Sequence, residues 1–248
     1  MRKNIIITGA SSGLGEGMAK AFAKRGRNLG LCARRLDRLE VLKADLLQIN
    51  PDIIVHTQAL DVNNHDAVFR VFNQFRKDFG VVDRVFVNAG IGKGGAIGAG
   101  HFKENKETFL TNAVSALAQC EAAVEIFRAQ NHGHLVTISS VGAVRGFPGL
   151  MNVYAASKAA LSSLSEGLQI ELLHTPIQVS TIHPGFIRTP MNEEAKSLPF
   201  AVNIETGCNA IVNAIEKEIK NAYVPFWPWA LLHYLLRIAP LNILRKLS

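Results

Sequence analysis

The sequence predicts an α/β fold, a single domain built on one doubly wound parallel sheet with helices on both faces. Three observations predict it. Short apolar runs alternate with longer segments of helical character along the chain. The runs are near-continuous, as in Ile5-Ile6-Ile7 and Val85-Phe86-Val87, which suits strands covered on both sides. A glycine-rich turn joins the first run directly to the first helical segment.

The elements follow in order. Asn4–Thr8 is the first strand; although Met1-Arg2-Lys3 is basic, the apolar run stops at Thr8-Gly9, too short for a signal peptide. Leu14–Arg25 is the first helix. Asn28–Ala33 and Leu36–Ile49 form the next strand–helix pair, and Ile53–Ala59 with His65–Phe79 the third. Asp83–Asn88 leads into a long helix over Lys106–Gln130. Between them, Gly90 to Gly100 holds six glycines but lacks the Lys-Ser/Thr of a phosphate loop, and reads as a mobile loop. His134–Ser139, a helix over Tyr154–Leu173, Gln178–His183, a helix over Glu205–Lys220 and a short strand Ala222–Val224 complete a domain expected to span residues 1–224. Residues 225–248 remain as a tail.

Composition supports a globular chain. Of 248 residues, 48% are hydrophobic and 19% charged, enough to bury a large core and unlike a disordered segment. Cys32, Cys120 and Cys208 are odd in number and widely spaced, so neither a disulfide framework nor a metal site is expected, and a reducing cytoplasm is the simplest setting. The net charge is +7, but the cations are dispersed and no nucleic-acid motif accompanies them. Part of that excess is expected to meet a phosphorylated cofactor.

The chemistry-bearing residues cluster at strand ends. Thr8-Gly9-Ala10-Ser11-Ser12-Gly13-Leu14-Gly15 follows the first strand and opens the first helix. Glycine permits the tight turn and close approach to a phosphate, and the helix N-terminus offers free N–H groups to a pyrophosphate. The second strand ends in Arg34-Arg35, where an Asp or Glu would bind the ribose 2′-hydroxyl of NAD. Arginine there suits a 2′-phosphate, so NADP (NADPH) is the expected cofactor. The alternative is that both arginines simply begin a solvated helix. Asp61-Val62 follows the third strand; Asp61 either accepts from the adenine amino group or caps the next helix. Asn88-Ala89-Gly90 ends the fourth strand, where small residues let the backbone lie flat against a cofactor.

Tyr154 and Lys158 stand four residues apart at a helix start, on one helical face. A nearby ammonium stabilises a phenolate and lowers its pKa from about 10. The pair alone is a weak signal that more often marks an ordinary surface pair. Its company makes it specific.

Together these residues resemble the short-chain dehydrogenase/reductase family, with its Rossmann-like fold. The resemblance is carried by Thr8–Gly15, Asp61, Asn88-Ala89-Gly90, Asn112, Ser139-Ser140, Tyr154 with Lys158, and Pro184-Gly185 followed by Thr189. It implies a nicotinamide-dependent oxidoreductase acting on a small-molecule carbonyl or secondary alcohol. Tyr154 is implied as general acid/base, Lys158 as the group that tunes it and binds the nicotinamide ribose, and Asn112 as the holder of a water reaching Lys158. Gly9, Ser11, Ser12, Gly13, Leu14, Gly15, Arg34, Arg35, Asp61, Val62, Asn88, Ala89, Gly90, Tyr154, Lys158, Pro184, Gly185, Ile187 and Thr189 are implied to bind the cofactor. Val141 stands thirteen residues before Tyr154, where the family usually carries its serine. A one-residue insertion before Tyr154 absorbs the difference and makes Ser140, the second of the pair, the expected substrate-holding residue over Ser139. A catalytically inactive dinucleotide-binding scaffold is the competing reading, and the shifted serine is its only support.

Phe147, Leu150, Met151, Met191 and Phe200 lie in segments expected to shape the pocket. They point to a hydrophobic substrate or simply pack against the protein. The tail, from Pro225, holds both tryptophans and is interrupted by Pro228, Arg237 and Pro240. It is too broken to span a membrane. It reads as a peripheral membrane helix, a lid over the pocket, or a contact in a homo-oligomer, either dimer or tetramer.

Overall fold

The computed structural model describes residues 2–193 and 198–246, with residue 246 described by its backbone alone. Seven strands form one sheet: β1 (Asn4–Thr8), β2 (Asn28–Ala33), β3 (Val55–Ala59), β4 (Arg84–Val87), β5 (Gly133–Ile138), β6 (Ile177–Pro184) and β7 (Asn221–Val224). Their order is β3-β2-β1-β4-β5-β6-β7, and every pairing is parallel. Strand order reverses between β1 and β4, where Ile7 lies beside Phe86. In such sheets the crevice beyond the carboxyl ends at this reversal is the ligand site.

Helices α1 (Gly13–Ala23), α2 (Leu36–Ile49) and α3 (His65–Phe79) follow the first three strands. After β4 come α4 (Phe102–Phe109), a π-helical turn (Leu110–Val114) and α5 (Ser115–Gln130). The chain continues with α6 (Met151–Glu171), α7 (Ile204–Glu216), α8 (Phe226–Ile238) and α9 (Leu241–Lys246). One hydrophobic core packs Met18 and Phe22 of α1, Leu39 of α2 and Ile211 of α7 on one sheet face. The other packs Phe72 and Phe75 of α3, Phe127 of α5 and Leu161 of α6 on the opposite face. Both faces of the central strands, such as β1 and β4, are therefore largely dry, and this is why they read as continuous apolar runs. The three cysteines are part of this packing; burial pushes Cys120 and Cys208 up to about 12.

Several boundaries differ from the sequence reading. The long helix begins at Phe102 rather than Lys106 and is interrupted by the π turn. Helix α6 begins at Met151, so Tyr154 closes its first turn. Helix α7 stops at Glu216, short of Lys220. The 90–100 segment is not simply a mobile loop. Asn105, Thr108 and Asn112 lie on one helical face, and each side chain hydrogen-bonds both the N–H and the C=O of Gly95, Lys93 and Ile91 respectively, at 2.8–3.2 Å. Three polar side chains thus replace a neighbouring strand for this backbone.

At the amino ends of the strands lies a polar cluster that sequence reading did not anticipate. Arg84 is 1% exposed and donates to His134 Nδ1 at 2.9 Å, Glu216 Oε1 at 2.8 Å and the Ile215 carbonyl at 3.2 Å. Arg27 donates to the other oxygen of Glu216. Burial pushes the Glu216 carboxyl up, but the hydrogen bonds from Arg84 and Arg27 outweigh it and hold the pKa below the ordinary value. A depressed carboxylate stabilises the fold above its unfolded pKa, and that contribution fades as pH falls through the folded pKa. Glu216→Gln should therefore cost about 2–3 kcal/mol in urea unfolding at neutral pH. The gap to wild type should close in acid, and a gap independent of pH would contradict the ion-pair account.

Candidate functional site

Thr8 closes β1, and its buried hydroxyl does three things. It donates to the Phe86 carbonyl at 3.0 Å and accepts from the N–H groups of Asn88 at 3.0 Å and Ala89 at 3.1 Å. Asn88 returns the contact, donating from Nδ2 to the Thr8 carbonyl at 2.8 Å. These bonds tie the ends of β1 and β4 together at the sheet reversal. The chain then turns through Gly9 at φ +64°, where a Cβ would sit 2.8 Å from Ala89 Cα. At Gly15 a Cβ would meet the Gly9 carbonyl oxygen at 2.4 Å, so α1 starts directly on the turn.

Ser12 is the N-cap of α1 but makes no side-chain cap. Its hydroxyl and that of Ser11 instead accept from Arg35 Nη2 at 3.0 and 3.1 Å. The N–H groups at the start of α1 are thus left for an anion, beside a guanidinium. Leu14 packs on the core behind the turn. Arg34 is exposed next to Arg35, but it is Arg35 that reaches the turn. Thr189 lies against the same turn: a Cβ at Gly13 would meet Thr189 Cβ at 3.7 Å. Asn192 holds Thr189 by accepting from its N–H at 3.0 Å, and donates to the Ile187 carbonyl at 2.9 Å. Residues 194–197 of the expected pocket segment lie outside the described residues.

Asp61 does not cap α3. Asn64 does, accepting from the Ala67 N–H at 3.1 Å, while Asp61 accepts from the Asn63 N–H at 3.0 Å and is exposed at the strand end. Val62 beside it is buried. The capping alternative for Asp61 falls, and its carboxylate stays at the rim of the crevice.

On the other side of the crevice, Ser139 and Ser140 point to different places. Ser139 is buried and donates to the Lys158 carbonyl at 3.0 Å, with Ser162 Oγ at 2.7 Å, so it fastens β5 to α6. Ser140 accepts from the Gly142 N–H at 3.0 Å and lies close enough to the Tyr154 phenol to lower its pKa. The extra residue is accommodated in the 3₁₀ turn Val141–Val144 and the loop before α6. Burial pushes the Tyr154 pKa up, and Ser140 pulls against it without reversing the shift. The phenol is therefore raised, not lowered as the sequence suggested. Lys158 adds nothing to it in this arrangement, because its Nζ donates to the Ile138 carbonyl at 2.8 Å. Burial with no anion brings the ammonium down to about 8.

Asn112 sits fully buried in the middle of the π turn. Besides its pairing with Ile91, its Nδ2 donates to Ser157 Oγ at 3.1 Å, and Ser157 donates to the Tyr154 carbonyl at 2.7 Å. A Cβ at Gly90 would lie 3.1 Å from Asn112 Oδ1 and 3.3 Å from Lys158 Nζ, so both groups border the space above Gly90.

Sequence reasoning missed a second tier. His183 Nδ1 lies 3.3 Å from the Ser140 carbonyl, and its ring stacks on Tyr223 at 4.8 Å. Burial lowers its pKa to about 4, so it is neutral at physiological pH. Tyr223 meets His233 Nε2 of α8 at 3.0 Å. Trp229 of α8 lies on Gly185, where a Cβ would meet Trp229 Nε1 at 2.0 Å, and its ring edge contacts Phe186. Gly185, after Pro184, also donates to the Val224 carbonyl at 2.8 Å. Arg145, from the Ser140 loop, donates to the Arg237 carbonyl at 2.6 Å at the end of α8. The tail is thus bound to both loops flanking the site. The position of His183 beside Pro184-Gly185 is the one clue that sequence offered.

The family model described as short chain dehydrogenase matches residues 3–198. An uncharacterized oxidoreductase of Mycobacterium tuberculosis is 49% identical over 247 residues, covering 100% of this chain and 98% of the relative. One from Myxococcus xanthus is 31% identical over 232 residues, covering 92% and 88%. Among solved structures, an alcohol dehydrogenase from the archaeon Thermococcus sibiricus, complexed with 5-hydroxy-NADP, superposes with a TM-score of 0.79 at 26% identity over 89% of this chain and 94% of that one. A short chain dehydrogenase/reductase from Burkholderia phymatum in complex with NAD shares the fold, with a TM-score of 0.84 at 24% identity over 98% and 95%.

The buried ammonium has a thermodynamic consequence. A drop from 10.5 to about 8 costs the folded state about 3 kcal/mol at neutral pH. That penalty is full below pH 8 and fades as pH rises toward 10.5. Lys158→Met removes it but leaves the Ile138 carbonyl without its donor, which returns about 1–2 kcal/mol. Without added cofactor, the variant should be more stable than wild type by about 1–2 kcal/mol in denaturant unfolding at pH 7, and the advantage should vanish by about pH 10. A less stable variant at pH 7 would refute the penalty.

Proposed function

The chain belongs to the short chain dehydrogenase family of oxidoreductases, and from that premise we propose that it is an NADP(H)-dependent carbonyl reductase or alcohol dehydrogenase with Tyr154 as general acid/base. The observation that carries the reading is the placement of Ser140 close enough to the Tyr154 phenol to act on its pKa, with the buried Lys158 one helical turn further on. A scaffold without catalysis has no need to bury an ammonium that, among the described residues, has no carboxylate partner.

The residues present fit a dinucleotide. The turn at Gly9 and Gly15 leaves no room for side chains, the first N–H groups of α1 have no side-chain cap, and Arg35 lies across the turn. Arg35, with Arg34 beside it, suits a 2′-phosphate, which is the support for NADP over NAD. Asp61 and the backbone at Asn88-Ala89-Gly90 would line the adenosine and ribose side. The bound nicotinamide supplies or accepts the hydride.

Around it the protein orients and moves a proton. Ser140 and Tyr154 donate hydrogen bonds to the carbonyl oxygen, where negative charge grows during reduction. A phenol raised by burial is fully protonated at neutral pH and ready to give its proton. Below about pH 8 Lys158 is charged and favours the phenolate that results once it faces the phenol rather than Ile138. Asn112 spends its amide on Ile91 and Ser157 and keeps one lone pair of Oδ1 above Gly90, compatible with a water between it and Lys158. It holds both the loop over the site and the first turn of α6. Met191, which flanks Gly92 together with Tyr154, and the exposed Leu150 and Phe200 favour a hydrophobic carbonyl.

Steady-state NADPH oxidation over a panel of apolar carbonyls tests this. Tyr154→Phe should reduce kcat by about 10²–10⁴-fold with cofactor affinity unchanged. Ser140→Ala should lose about 10²-fold in kcat, while Ser139→Ala should act mainly on stability. Arg35→Ala should weaken NADPH about tenfold and NADH little. Full turnover by Tyr154→Phe would end the mechanism, and a wild-type preference for NADH would end the NADP assignment.

A further inference from the structure

Helix α8 carries apolar residues on both its inner and its outer side, with His233 and Arg237 among them. Its inner side carries the buried Trp229 with the half-buried Leu232, His233 and Leu236, which face the domain. Among the described residues, nothing covers its outer side. Phe226, Trp227, Tyr234 and Ile238, with Leu241 of α9, are each between 66% and 79% exposed. Isolated exposed apolar residues are normal, but five large ones within sixteen consecutive positions form a patch of the kind that meets another apolar phase. Trp227 has extended backbone, so the helix proper begins at Pro228 and the two aromatics ahead of it stand off its end.

Charge identifies that phase. From Pro225 to Ser248 the sequence contains no Asp or Glu, but it contains Arg237, Arg245 and Lys246, in a chain of net charge +7. We propose that the outer face of α8 and α9 docks on the surface of an anionic lipid bilayer. The aromatic and aliphatic side chains enter the boundary between headgroups and acyl chains, and the basic residues lie among the lipid phosphates. Among the described residues no helix is long and apolar enough to cross a membrane, so the segment lies on the bilayer. A twofold contact between copies fits less well. It would set this patch against itself and bring together two tail segments that each hold basic and no acidic side chains in sequence.

The two tryptophans make the proposal measurable, because Trp227 is 71% exposed and Trp229 is 4% exposed. The full-length protein is mixed with vesicles of phosphatidylcholine, or of phosphatidylcholine with phosphatidylserine, and floated on a density gradient. The protein should float with the anionic vesicles and be released by salt. Its fluorescence should shift to the blue and be quenched by lipids brominated on the acyl chain, and Trp227→Phe should remove both signals while flotation persists. Tyr234→Ser with Ile238→Ser should weaken partitioning by about tenfold or more with the thermal midpoint unchanged. Absence of flotation on anionic vesicles, or equal flotation of the double variant, would overturn the proposal. So would a lipid-free dimer that the double variant converts to monomer, which would assign the face to self-association. None of these readouts depends on turnover, so the docking surface and the hydride-transfer reading stand or fall separately.

Discussion

The site depends on one hydroxyl. Thr8 Oγ1 holds the ends of β1 and β4 together at the place where strand order reverses, bonding to Phe86, Asn88 and Ala89 at once. Beyond it the two chains must separate, one into the glycine turn and the other toward Gly90. Because the separation starts from a fixed point, the Gly9 backbone lies against Ala89 and α1 begins directly above it. On the other branch, Gly90 arrives beside Asn112 and Lys158. A threonine here also satisfies backbone groups that two diverging strands can no longer give each other.

The fold class, several element bounds and the residues that gather at the candidate site were legible in the sequence because they rest on local signals. Near-continuous apolar runs marked strands buried on both faces, and β1, β2, α2 and α3 begin and end where periodicity predicted. The glycine turn, Asn88-Ala89-Gly90 and the Tyr154–Lys158 spacing each carry their chemistry within a few residues. What was not legible is what depends on long-range geometry. The π turn at Asn112 changes helical period for a single turn, too briefly to disturb a pattern of apolar residues. The pairing of Asn105, Thr108 and Asn112 with the glycine-rich segment needs two stretches to meet, and each alone reads as an ordinary polar helix and an ordinary loop. Ser139 and Ser140 are chemically identical, and only the strand alternation of side chains separates the one that fastens α6 from the one that faces Tyr154.

The pKa values show the tension in the design. Sequence reading assumed that an ammonium four residues from a phenol must lower its pKa. In the structure burial acts on both groups first, raising Tyr154 and lowering Lys158, and each finds a different partner, Ser140 and the Ile138 carbonyl. Spacing along a helix decides which groups can meet, and desolvation decides what they are worth before they do. The opposite end of the sheet resolves the same problem differently. There the buried Arg84 has a carboxylate, a histidine and a carbonyl around it. Among the described residues Lys158 Nζ has only the Ile138 carbonyl, so its charge is held at a cost and stays available to an incoming polar group.

The tail extends this logic outward. A helix with apolar residues on both sides usually lies inside a protein, yet α8 is at the surface with only Trp229 and its neighbours covered. Its inner contacts are specific. Trp229 fills the space left by Gly185, Arg145 holds the Arg237 carbonyl, and His233 reaches the Tyr223–His183 stack behind Ser140. These contacts make α8 a wall between the Ser140 loop and the Gly185 loop, the two segments that frame Tyr154. Trp229 on its inner side and the aromatic and aliphatic residues on its outer side place apolar surface both at the edge of the site and at the exterior. Under the proposed function, that arrangement would suit an apolar carbonyl on its way to Tyr154. A water-filled entrance would charge the cost of hydrating the substrate's apolar surface on every turnover.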